Sequence, residues 1–112
     1  MTALQELLAK VKAGIAVYRD FSCFEVPSQC MQYTERAISA RMAYNGSLDA
    51  AKALHEAVLP EWMVAQIRQE NFIGRWVVRL FYTEAMHGVD NCPARAWLIA
   101  IIEALIAQEK ST

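Results

Sequence analysis

The chain has 112 residues, 55% of them hydrophobic, with 11 basic and 12 acidic side chains and a formal net charge of −1. That length and apolar content suit a single domain with one buried core, and the near-zero charge excludes a global field that would draw the whole chain onto phosphate or an anionic membrane. Three cysteines, Cys23, Cys30 and Cys92, are an odd number, which argues against a disulfide framework and suits reduced thiols.

The opening "MTALQELLAK" carries Glu6 and Lys10 inside its apolar pattern and reads as no cleavable signal, and no uninterrupted apolar run approaches about 18 residues. The expectation is a soluble cytoplasmic protein with no membrane segment. In "TALQELLAKVKAGIAVY" the apolar residues Leu4, Leu7, Leu8, Val11 and Ile15 share one face at helical spacing and Thr2 stands at the N-cap, predicting a helix over 3–17. "RDFSCFEVPSQC" follows without a clean period, and Pro27 interrupts it, so it reads as an irregular linker burying its aromatics. "SQCMQYTERAISARMAY" recovers helical spacing over 28–44, with Ser28 as cap, Met31, Thr34, Ile38 and Met42 inward, and Glu35, Arg36 and Arg41 toward water.

"NGS" at 45–47 is a break, because Asn45 and Gly46 tolerate positive φ and Ser47 can cap a new helix. That helix runs over 48–59, with Asp49 in its first turn, Pro60 ending it, and a small-residue face of Ala50, Ala51, Ala53, Leu54, Ala57 and Val58. "WMVAQIRQ" and "RWVVRLFYT" are β-branched and aromatic and flank "ENFIG", predicting an antiparallel hairpin over 62–69 and 75–83. Simple alternation places Met63, Ala65, Ile67, Trp76, Val78, Leu80 and Tyr82 on the core face. Gln66, Arg68, Arg75 and Arg79 then fall on the other face, interrupted by Val64, Val77 and Phe81. "EAMHGVDN" reads as a loop. Pro93 opens a last helix over 93–108, in which only Glu103 between Ala96 and Ala107 is not apolar. The expected class is α+β, a hairpin packed with four helices.

Two stretches resemble a known family. "YNGSLDAAKALHEAVLPEW" is similar to the tyrosine, short turn, Ser-Leu-Asp-Ala-Ala helix and tryptophan of the phage ABA sandwich domain, found in small bacteriophage and prophage proteins. The downstream hairpin with "GRW" and the helix "PARAWLIAIIEALIA" resemble its remaining half, so that the likeness spans about residues 44 to 107, while 18 to 43 departs from it. The resemblance implies a small α-β-α layered sandwich of phage origin, residence in the bacterial host cytoplasm or in a virion, and no established activity. It carries no catalytic residues with it.

Chemistry-bearing groups are sparse. Cys92 precedes Pro93 at a helix start, where a dipole can lower a thiol pKa, and His87 lies upstream in the same segment, so that a Cys/His pair is conceivable. Asn91, Cys92 and Pro93 read equally as an ordinary helix start, with Cys92 as a packing or capping residue, which is the favoured reading. Cys23 and Cys30 lack the close spacing of zinc knuckles, and His55, without a second histidine at helical spacing, reads as an exposed or half-buried helix residue. No metal site and no cofactor are expected. Asp20, Glu25, Glu61, Glu84, Asp90 and Glu103 are scattered, and the four glycines are isolated, so neither a paired acid and base nor a phosphate loop emerges. Arg68, Arg75 and Arg79 beside Phe81 are the best binding candidates, able to grip a phosphate or an acidic protein. Their plain reading is a solvated strand face carrying charges that discourage edge pairing.

The function expected from the residues is therefore a non-enzymatic structural or interaction protein. The alternative is a nucleic-acid or acidic-protein binder using the hairpin arginines, although the overall charge disfavours nucleic acid, and a thiol enzyme at Cys92 ranks last. The apolar surplus on the last helix predicts a homodimer through Leu98, Ile102 and Ile106, or through the free hairpin edge. An unidentified protein partner is compatible with either.

Overall fold

The structure, a computed structural model, describes residues 2–24, 31–70 and 74–110. Helix α1 (Ala3–Ala13) starts at Thr2, whose hydroxyl accepts from the Gln5 N–H while the Gln5 side chain accepts from the Thr2 N–H. This reciprocal cap satisfies N–H groups that a first helical turn leaves unpaired. The helix stops before the predicted boundary because Gly14 turns left-handed (φ 74°) and Ile15 donates back to Lys10 O. Leu7 and Val11 are buried as expected, but Ile15, beyond the stop, is 64% exposed.

The linker forms a 3-10 segment, Tyr18–Phe24, that buries Phe21 and Phe24. Asp20 anchors it, accepting from the Val17 N–H at 2.8 Å and from Lys10 Nζ at 2.8 Å. Pro27, the Ser28 cap and Cys30 lie outside the described residues. Helix α2 (Met31–Tyr44) packs through Ala37, Ala40, Ala43 and Tyr44. Ile38 and Met42, expected inward, are 39% and 48% exposed; the small residues face in because they let the helix axes approach closely. The side chains of Met31 and Thr34 are outside the described set. Ser47 Oγ accepts from the Ala50 N–H and caps α3 (Leu48–Val58), whose inner face is Ala50, Ala51, Leu54 and His55, with Ala53 and Ala57 outside.

Three strands follow, not two: β1 (Met63–Gln69), β2 (Trp76–Phe81) and β3 (Ala85–Asp90), antiparallel in that order. The third strand is where a loop was expected. In the fold Gly88 is the contact that admits the strand. A Cβ built there would meet Ala96 O and would come within 2.5 Å of Ala100 N, so only a bare α-carbon lets β3 lie against the last helix, α4 (Pro93–Lys110).

The α+β arrangement is layered about α4, which packs on β2 and β3 with one side and on α1, α2 and α3 with the other. This explains its all-round apolarity. Leu98, Ile101 and Ile102 have no exposed surface and Ile99 only 1%, and each such side chain contributes roughly 1.5–3 kcal/mol relative to exposure. Glu103, the one charge between Ala96 and Ala107, reaches the rim and pairs with Lys12 at 3.2 Å. Arg95, on the first turn of α4, donates to Tyr44 O at the end of α2 and lies 4.4 Å from the centroid of the Tyr44 ring, fixing the two helices by a cation at a helix C-terminus. No helix of the described residues is long and apolar enough to cross a membrane.

Candidate anion-binding face

The sheet has one face on α4 and one facing outward. On β2 Val78 and Leu80 are fully buried and Arg79 is exposed, as alternation predicts, but Trp76 is only half-buried and Val77, on the outward side, is 6% exposed. On β1 the alternation fails, since a register shift between Val64 and Gln66 makes Ala65 an extra residue and reverses the parity on either side of it. Val64 therefore pairs with Leu80 and Ile67 with Val78 on the α4 side, whereas Met63 pairs with Phe81 on the outer side. Met63 and Tyr82, both assigned to the core by simple alternation, are 65% and 45% exposed.

The outer face consists of three cross-strand rows: Met63, Phe81 and Ala85; Gln66, Arg79 and His87; and Arg68, Val77 and Val89. Arg68, Arg79 and Phe81 are thus brought together as the sequence suggested. Arg75 lies before β2, exposed, with its carbonyl accepting from the Glu70 N–H across the hairpin end, so it belongs to the rim. His87 and Gln66 complete the middle row; the sequence placed Gln66 on this face but offered His87 only as a partner for Cys92. The signal was present in "AMHGVD", where Ala85, His87 and Val89 alternate with Met86, Gly88 and Asp90, but the segment was read as a loop.

None of these nine positions carries a carboxylate, and Arg68 and Arg79 take no part in the ion pairs among the described residues. Facing neighbours on adjacent strands sit about 4.5–5.5 Å apart at Cβ. Gln66 and His87 face Arg79 directly, while Arg68 is its diagonal neighbour at about 7–8 Å, so two positive charges and further donors share these rows with no carboxylate among them. Phe81, 44% exposed, offers an open ring on the same face.

Cys92 occupies the N-cap position of α4, its carbonyl accepting from Ala96 N–H and its own N–H donating to Asp90 Oδ1 at 3.0 Å. The thiol is half-buried, 3.9 Å from where a Cβ on Gly46 would stand. His87 points outward in mid-strand, and the rise from His87 to Asp90 alone is about 10 Å, so the two residues are not presented as a pair. Among the described residues no cluster of histidine, cysteine, aspartate and glutamate is suited to a metal ion.

His55, expected at or near the surface, is only 5% exposed. Trp97 Nε1 donates to its Nδ1 at 3.3 Å, and its Nε2 lies 2.8 Å from Trp62 O. An indole nitrogen can only donate, so Nδ1 accepts and the ring proton sits on Nε2. His55 is a structural crosslink between α3, the approach to β1, and α4. The proposed interface residues Leu98, Ile102 and Ile106 are likewise interior, at 0%, 0% and 7% exposure. The elements of the same chain cover them, so these three side chains are core and not free surface.

Compared with known protein families, with curated proteins and with solved structures, the chain matches none of them.

Proposed function

We propose that the protein is a non-enzymatic binding module whose working surface is the outer face of the sheet and whose partner is anionic. The observation that carries this reading is the grouping of Arg68, Arg79, His87 and Gln66 with exposed Phe81 on cross-strand rows whose nine positions hold no carboxylate, the nearest on that parity being Glu70 at the rim beside Arg75. The overall charge of −1 does not oppose it, because solution ions screen exposed charges beyond about 8–10 Å. Local grouping then governs what the face attracts. The resemblance of "YNGSLDAAKALHEAVLPEW" and "PARAWLIAIIEALIA" to the phage ABA sandwich domain supports a phage or prophage setting in a bacterial cell.

The test is retention on a polyanion such as heparin, measured across a salt gradient for the wild type and for the Arg68→Glu/Arg79→Glu double variant. Elution of the wild type at higher salt than the variant, with matched thermal melts, is the expected outcome. Equal elution of the two folded proteins removes the face as the working surface.

A second reading, homodimerisation through the edge of β1, is favoured by one observation: every residue of this edge strand is exposed, including Val64 and Ile67 on the side facing α4. Pairing of two copies along β1 would shield both residues.

A further inference from the structure

We infer that the partner of the sheet face is single-stranded nucleic acid, with Phe81 stacking a base and Arg79 holding a neighbouring phosphate. The inference rests on the anionic-partner reading and adds the ring to the charges. Arg79 and Phe81 are two residues apart on the central strand, so both point outward and stand about 6.6–6.8 Å apart along it. A base lying on the ring leaves its own backbone within reach of a guanidinium, whose planar fork fits phosphate oxygens. Arg68 lies on β1 diagonal to Arg79, opposite Val77, and extends the cationic track in the direction away from Phe81. Gln66 and His87 flank Arg79 on either side and supply donors to base edges or sugar oxygens.

The chemistry of the face separates this ligand from other anions. An acidic peptide satisfies the arginines and has no flat ring to place on Phe81. A duplex presents phosphates but keeps its bases stacked inside, so the exposed ring gains nothing from it. A single strand uses both, and base-to-aromatic stacking tolerates any sequence because every base has a π face. Met63, across from Phe81 and 65% exposed, adds a soft apolar contact at the edge of the stacked base.

The experiment is fluorescence anisotropy with a labelled oligothymidylate of about twelve nucleotides, a duplex of equal length, and polyglutamate as competitor, using the full chain. The single strand is expected to bind the wild type more tightly than the duplex does and to resist polyglutamate. Phe81→Ala is expected to weaken it about tenfold or more, with recovery in Phe81→Trp. Arg79→Ala is expected to make the slope of log K against log salt shallower by about 0.7, the contribution of one phosphate contact on a single strand. Circular dichroism melts confirm that each variant is folded. Indifference to Phe81→Ala, or equal binding of strand, duplex and polyglutamate with sensitivity only to the arginines, overturns the nucleic-acid inference and leaves the anionic face standing. Absence of binding to all three polyanions overturns both.

Discussion

Gly88 faces the backbone of α4, and a methyl group there would meet Ala96 O and crowd Ala100 N. Backbone on both sides cannot yield as a flexible side chain would. Gly88→Ala is therefore expected to destabilise the fold by about 3 kcal/mol or more, at or above the top of the roughly 1–3 kcal/mol that overpacking of a core usually costs, and chemical denaturation of the variant measures it. Cys92 is the contrasting case. Its backbone makes the helix-start hydrogen bonds and its half-buried sulfur packs near Gly46, so Cys92→Ser or Cys92→Thr is expected to change stability by no more than about 1 kcal/mol, as for exchanges among capping residues. Trp62 and Trp97 form a third comparison, since both are buried but only Trp97 has an acceptor for its indole N–H, on His55. Trp97→Phe leaves His55 Nδ1 without its donor and is expected to cost about 1–3 kcal/mol more than Trp62→Phe. Equal losses would deny His55 its role as a crosslink.

Asp20 ties the 3-10 segment Tyr18–Phe24 to α1 at the scale of elements. The Lys10 ammonium, and next the Val17 N–H, hold its carboxyl below the usual carboxylate range. A group whose pKa is depressed by folding adds stability above its unfolded value, about 3.9, and that contribution disappears as pH falls through the folded value. Asp20→Asn is thus expected to lower the melting temperature at neutral pH, with the gap to wild type closing below about pH 3.9. On β2, Val78→Asp places an unpaired carboxylate at a site with no exposure and is expected to unfold the domain, while Arg79→Glu on the open face is expected to leave it folded. Circular dichroism of the pair checks the register. This register on β2 was legible from alternation, as were the caps Thr2 and Ser47, the stop at Gly46 and the start at Pro93. What the sequence concealed were contacts set by distant chain. The bulge at Ala65 reverses half of β1 with no compositional mark, Gly88 is a breaker unless Ala96 lies against it, and the alanines of α2 outrank Ile38 and Met42 only once other helices approach. The candidate face was legible to the same degree: Arg68, Arg79 and Phe81 followed from the hairpin, but His87 needed the third strand.

At the scale of the whole molecule, the apolar surplus of α4 and the exposure of β1 have to be considered together. The radius of gyration, 13.1 Å, is that of one globular domain of this length, and α4 spends its apolar circumference inside that globule. A dimer formed through Ile102 would require the chain to open first. Edge strands that expose apolar residues are instead the surfaces that pair with another chain unless something prevents it, and β1 exposes Val64 and Ile67 at 38% and 39%. Antiparallel pairing of two β1 strands about a two-fold axis normal to the sheet closes the assembly. It also keeps both outer faces on the same side, doubling the cationic surface without covering it. Light scattering after size exclusion at micromolar concentration is expected to give a dimer for the wild type and a folded monomer for Ile67→Lys. Ile102→Ala is expected to lower stability by about 2–5 kcal/mol, the cost of a core truncation, without changing the mass of whatever remains folded. A wild type that stays monomeric removes the edge-paired dimer, and a dimer that survives Ile67→Lys places the interface elsewhere than β1.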